Sequence, residues 1–98
     1  MEIDTEIRHI TPVGGNIFED LGFEPAEAAK LKIKAQLMRE LSEWIEQKHL
    51  KQEEAAKLLR VTRPRVSDVM RGKAGKFTID ALIDMLELSG RHVCISVN

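Results

Sequence analysis

The chain holds one cysteine in 98 residues, Cys94, which excludes an internal disulfide and fits a reducing compartment. Its apolar runs are short. None approaches the length of a membrane-spanning helix, and the opening MEIDTEIRH lacks the basic and then apolar regions of a secretory leader, so a soluble cytoplasmic protein is expected. A glycine-rich phosphate cradle is missing as well. The three histidines, His9, His49 and His92, lie far apart, and none has a ligand spacing to Cys94 or to paired acids. Glu53 and Glu54 are adjacent, point differently on a helix, and read as solvated charges. These absences argue against an enzyme, and neither metal nor cofactor is expected. A chain of this length makes one domain with a modest core, so association with a second copy would add stability and a homodimer is expected.

What is present is a strong segregation of charge. The formal net charge is only −1. Between Lys57 and Lys76, however, there are seven basic residues (Lys57, Arg60, Arg63, Arg65, Arg71, Lys73, Lys76) against one acid, Asp68, a local balance of +6 that favours a polyanion. The first 29 residues are the reverse: seven acids (Glu2, Asp4, Glu6, Glu19, Asp20, Glu24, Glu27) against Arg8, a balance of −6 that repels nucleic acid and attracts a basic protein.

The basic block contains QEEAAKLLRVTRPRVSDVMR, two short amphipathic segments separated by a tight turn. Ala55, Ala56, Leu58 and Leu59 fall at helical intervals in the first, and Val66, Val69 and Met70 do so in the second, with Val61 plugging the turn. The small Ala56 lets the two helices approach closely. Thr62 stands where its hydroxyl would cap the second helix, Pro64 fits only a first turn and pins the start near Arg63, and Gly72 offers a left-handed end. This is the layout of a helix-turn-helix, whose second helix enters the major groove of DNA. The faces left over by the core carry Arg63, Arg65, Ser67, Asp68 and Arg71. Arginine suits a guanine edge or a phosphate, serine bonds to either, and Asp68 can accept from cytosine or hold a neighbouring cation. Gln52, Thr62 and Pro64 complete the candidate DNA-contacting set, with Lys73 and Lys76 in the following loop as phosphate contacts that carry no sequence information.

Elsewhere the elements are simpler. Residues 1–15 alternate weakly (Ile3, Thr5, Ile7) before a Pro12, Gly14, Gly15 break, and read as an edge strand or an arm. Asn16 and Glu19 resemble a capping box for a short helical turn bearing Phe18 and Leu21 and ended by Gly22. From Pro25 to about Lys48 an apolar stripe of Ile33, Leu37, Met38, Leu41, Trp44 and Ile45 predicts a long helix. Thr78 caps another, with Phe77 and Leu82 spaced as a hydrophobic staple, apolar contacts from Ile79, Ile83, Leu86 and Leu88, and an end at Gly90. The tail HVCISV alternates, Val93, Ile95 and Val97 against His92, Cys94 and Ser96, and reads as a β-strand. A lone strand needs a partner. It is either the Ile3 to Ile10 segment or the tail of a second copy, and the second is preferred because it would create a two-fold axis with Val93, Ile95 and Val97 as dimerisation residues.

From about Gly15 to Val97 the chain resembles the Xre/Cro-type regulators and, within them, the HigA-like antitoxins. The resemblance is carried by GNIFEDLGF, LKQEEAAKLLRVTRPRVSDVMRGK, FTIDALIDMLELSG and the strand-like tail. It implies a mainly α fold: a lambda-repressor-like helix-turn-helix bundle of four to five helices with a C-terminal β-strand. The organisation expected is an acidic arm with a short helical turn over 1–24, the DNA-binding domain over 25–90 and a dimerisation strand over 91–98. Many family members have glycine where this chain has Arg60, and a left-handed arginine there would cost on the order of 1 kcal/mol. The function implied is a repressor of its own operon that binds a near-palindromic operator and neutralises a basic ribonuclease-type toxin, with Ile3, Ile7, Ile10 and Phe18 of the acidic arm as toxin contacts. A stand-alone or phage-type Xre regulator without a toxin, and a protein-interaction module with a vestigial helix-turn-helix, are the alternatives.

Overall fold

Pro25 opens the longest helix, at a first-turn position where a missing N–H leaves no bond unmade. The computed structural model describes residues 7–10 and 17–98. In order these form strand β1 (Ile7–Ile10), helices α1 (Ile17–Asp20), α2 (Pro25–Gln47), α3 (Gln52–Leu59) and α4 (Arg63–Met70), a 3₁₀ turn (Ala74–Lys76), helix α5 (Ile79–Ser89) and strand β2 (His92–Ile95). The fold is the expected helical bundle with a terminal strand. The expected dispositions of Ile3 and of the Asn16 capping box lie outside the described residues.

The core is contributed by every long helix. Leu37, Leu41, Trp44 and Ile45 of α2 meet Ala55, Ala56 and Leu59 of α3, Val66 and Val69 of α4, and Leu82, Met85 and Leu86 of α5. Val61 in the turn packs against this cluster as expected. Three residues expected to make apolar contacts do not reach its centre: Leu58 is 51% exposed, Met70 38% and Leu88 40%. An eight-residue helix has room for one narrow buried stripe, and in α3 Ala55, Ala56 and Leu59 occupy it, which turns Leu58 outward. Met70 and Leu88 fall off the buried stripes of their helices, which Val66 and Val69 occupy in α4 and Leu82, Met85 and Leu86 in α5.

Helix α5 begins as its sequence predicts. The Thr78 hydroxyl accepts from the Ala81 amide at 3.1 Å, and Phe77 and Leu82 are both buried beside it. At the start of α4 the expectation fails. Thr62 occupies the N-cap position, but its hydroxyl makes no capping bond. Pro64 has no N–H to offer, and the next amides, of Arg65 and Val66, are both taken by the Thr62 carbonyl at 3.1 and 3.2 Å.

The tail pairs within its own chain. β2 runs parallel to β1, with Ile7 opposite His92 and Ile10 opposite Ile95. The preference for pairing with a second tail therefore gives way at this edge to the other candidate segment. Parallel strands require a long crossover, and here the whole helical bundle supplies it. Val93 packs against the core, Ile95 is 49% exposed, and Val97 lies past the strand and is 91% exposed.

The root of β2 is held by a residue that the sequence patterns did not single out. Arg91 is 2% exposed. Its guanidinium donates through Nη1 to the Glu40 carbonyl at 3.0 Å and the Glu40 carboxylate at 2.9 Å, and through Nη2 to the Gln47 side-chain carbonyl. The strand is thereby clamped to α2.

Candidate nucleic-acid interface

The turn between α3 and α4 sets the angle at which α4 is presented. Arg60 ends α3 with φ 57° and ψ 42°, the left-handed conformation, so that its amide reaches the Lys57 carbonyl and that of Val61 reaches Ala56. Side chains other than glycine's are strained there. Arg60→Gly is accordingly expected to raise unfolding stability by about 1 kcal/mol without changing the fold, measured by urea denaturation. An unchanged or lowered stability would refute the strain.

With Val66 and Val69 buried, the helical repeat turns Pro64, Ser67 and Arg71 toward solvent, flanked by Arg63 on one side and Asp68 on the other. Arg63 and Arg71 are exposed. Arg63 Nη1 lies 3.7 Å from a Glu53 carboxylate oxygen, both side chains in open solvent. So loose a pair leaves the guanidinium able to exchange partners. Gln52, at the start of α3, reaches across to the end of α4, its Nε2 3.8 Å from Met70 Sδ.

Arg65 is placed differently from Arg63. Its Nη1 donates to the Lys76 carbonyl at 2.9 Å, and its guanidinium carbon sits 4.1 Å from the centroid of the Phe77 ring. The half-buried side chain thus fastens the loop after α4 to the helix, a cation–π contact backing the hydrogen bond. Asp68 also turns to this loop. Its two oxygens lie 3.7 Å from Lys73 Nζ and 3.6 Å from Lys76 Nζ, with the carboxylate 17% exposed. Gly72, at φ 70°, lets the chain double back so that the Lys73 amide bonds to the Asp68 carbonyl at 3.0 Å.

Arg63, Pro64, Ser67 and Arg71 thus share the outward side of α4, Thr62 precedes it at the N-cap position, Gln52 reaches its end from α3, and Arg65 and Asp68 engage the loop that carries Lys73 and Lys76. The Arg65–Phe77 platform joins residues 65 and 77 across a loop, and no local pattern reveals it. Glu53 is a solvated charge as expected, 71% exposed and 3.7 Å from Arg63, whereas Glu54 accepts from the Lys51 amide at 2.7 Å and caps α3.

A family model described as a helix-turn-helix domain matches residues 17–98. The chain belongs to the helix-turn-helix domain family. No curated protein and no solved structure matches it. A helix-turn-helix domain points to a DNA-binding regulator, and the family is generally non-enzymatic. Among the described residues of this helix-turn-helix protein no group of three or more histidine, cysteine, aspartate or glutamate side chains can hold a metal, and no helix is long and apolar enough to cross a membrane.

Of the residues expected on a protein-binding arm, Phe18 is half-buried with its ring edge-on to Phe23, centroids 6.2 Å apart. Ile7 and Ile10 lie in β1, their backbone paired with β2.

Proposed function

We propose that this helix-turn-helix protein is a sequence-specific transcriptional repressor that docks α4 in the major groove. The observation that carries the reading is the ridge on α4: Arg63, Ser67 and Arg71 project from a helix whose opposite face, Val66 and Val69, is wholly buried, so these side chains are presented on a rigid backing. Arg63 and Arg71 read bases or clamp phosphates, and Lys73 and Lys76 contact the backbone beyond the end of the helix.

The protein acts as a homodimer on a near-palindromic operator. The edge of β2 away from β1 and the exposed Ile95 and Val97 offer a second copy a surface, and two recognition helices roughly 34 Å apart would then enter successive grooves. Arg71, Lys73 and Lys76 from each protomer would supply six phosphate contacts, so affinity is expected to fall about a thousandfold between 50 and 200 mM salt in a titration followed by fluorescence anisotropy. A salt-insensitive complex refutes the basic ridge. Ile95→Asp with Val97→Asp is expected to convert the dimer to monomer on sedimentation; a persisting dimer places the interface elsewhere.

The repressor is further read as the antitoxin of a toxin–antitoxin pair. Exposed Leu21 and Phe23 stand among Asp20, Glu24 and Glu27 in the acidic first third of the chain, a combination suited to a basic partner such as a small ribonuclease. Co-expression with the adjacent gene tests it. A stable complex in which ribonuclease activity is suppressed supports the antitoxin role, and a neighbour that does not bind leaves a stand-alone regulator.

A further inference from the structure

An acid on the face a protein presents to DNA opposes binding, yet Asp68 stands on the flank of the proposed recognition helix, amid the +6 block. Its side chain is only 17% exposed. Lys73, just before the 3₁₀ turn, and Lys76, its last residue, converge on the two Asp68 oxygens at 3.7 and 3.6 Å. The same turn is fixed from behind, where Arg65 bonds to the Lys76 carbonyl and stacks on Phe77. Two long ammonium side chains, 43% and 57% exposed, are thus drawn toward one carboxylate on the helix.

We infer that Asp68 is a specificity-determining positioning residue. It restrains Lys73 and Lys76 so that they meet phosphates only when α4 is correctly seated, and it suppresses binding in other registers. The inference rests on the DNA-reading role of α4. Free lysines find a phosphate at any sequence, since that contact carries no base information. Tethered lysines must leave the carboxylate to reach a phosphate out of register, and the uncompensated aspartate then faces the polyanion. Discrimination between operator and bulk DNA is the consequence, without any base contact by Asp68 itself.

Full-length protein should be titrated with two duplexes, the footprinted region upstream of its own gene and a mixed-sequence control, across a salt series. Asp68→Asn keeps the side-chain shape and removes the charge. It is expected to raise affinity for the control duplex roughly fivefold, to steepen its salt slope by about one, and to shrink the ratio of operator to control affinity. Asp84→Asn, which removes an exposed charge on α5, is the charge-matched comparison and is expected to change the ratio little. In a Lys73→Ala, Lys76→Ala background the effect of Asp68→Asn is expected to vanish, because the lysines are its means of action. The inference is overturned if Asp68→Asn behaves like Asp84→Asn, if its effect survives removal of both lysines, or if it abolishes operator binding without strengthening control binding, the signature of a direct base reader. Asp68→Ser provides the same readings should the asparagine variant fold poorly. Wild-type protein that binds neither duplex refutes the DNA-reading role itself, a result visible before any variant is compared.

Discussion

Arg91→Ala is expected to lower the free energy of unfolding by about 2–4 kcal/mol, measured by urea denaturation, the largest effect of any single charged residue among those described. Arg91 is the buried charged residue among those described, and its guanidinium satisfies a backbone carbonyl, a carboxylate and a side-chain amide oxygen at once. Truncation removes the donor to all three. The Glu40 carboxylate, 21% exposed, and the exposed Gln47 recover hydration, and the Glu40 carbonyl keeps its place in the α2 ladder, so the cost lies in the lost charge-assisted bonds and the space left by the buried side chain. Glu40→Gln keeps the carbonyl bond and an acceptor oxygen, and is expected to cost clearly less than Arg91→Ala. Against a typical total of about 5–15 kcal/mol for a native domain, loss of Arg91 leaves a marginal fold. A cost below about 1 kcal/mol would show that the network is dispensable. This has a practical consequence for testing the dimer: a chain ended at Gly90 loses the clamp together with the strand, whereas substitutions at Ile95 and Val97 leave Arg91 in place.

Arg63→Ala combined with Arg71→Ala is expected to reduce operator affinity at least a hundredfold, since each well-placed arginine contributes about 1–3 kcal/mol. Both side chains are exposed and remote from the core, so unfolding stability is expected to change by less than about 0.5 kcal/mol. Arg65→Ala is expected to show the opposite balance. Its hydrogen bond to Lys76 and its stack on Phe77 together stabilise the loop by about 1–2 kcal/mol, so its loss appears in the unfolding curve, and in DNA affinity only through the loosened loop. Equal effects of Arg63→Ala and Arg65→Ala on operator affinity, with stability unchanged in both, would refute the division between reader and brace. Gel shifts beside thermal melts of the same preparations distinguish the outcomes.

The helices were legible because their signals are local. The stripe from Leu37 to Ile45, Pro64 in a first turn, Thr78 with its staple, and the left-handed Gly72 and Gly90 each act over three or four residues. Thr62 shows the limit of such signals: the residue is at the cap position, but a proline two places on removes one amide, and a tight carbonyl turn takes the next. Leu58, Met70 and Leu88 show another. Periodicity says which residues are apolar; it does not say how wide the buried stripe of a short helix will be.

By itself, the sequence determined the helix-turn-helix, its basic face and the acidic opposite end, since all three follow from residue type and short-range spacing. Only the tertiary structure decided how the candidate readers divide. Arg63 and Arg65 are two residues apart and chemically identical, yet one meets solvent and the other meets Phe77, because a ring brought back by the loop lies on one side of α4 only. The tertiary structure likewise decided that β2 pairs with β1 and that Arg91 is its clamp. Those contacts join residues that the chain separates by 44 to 85 positions, and no pattern read along a few turns of helix reports which distant partner a buried charge or an unpaired strand edge will meet.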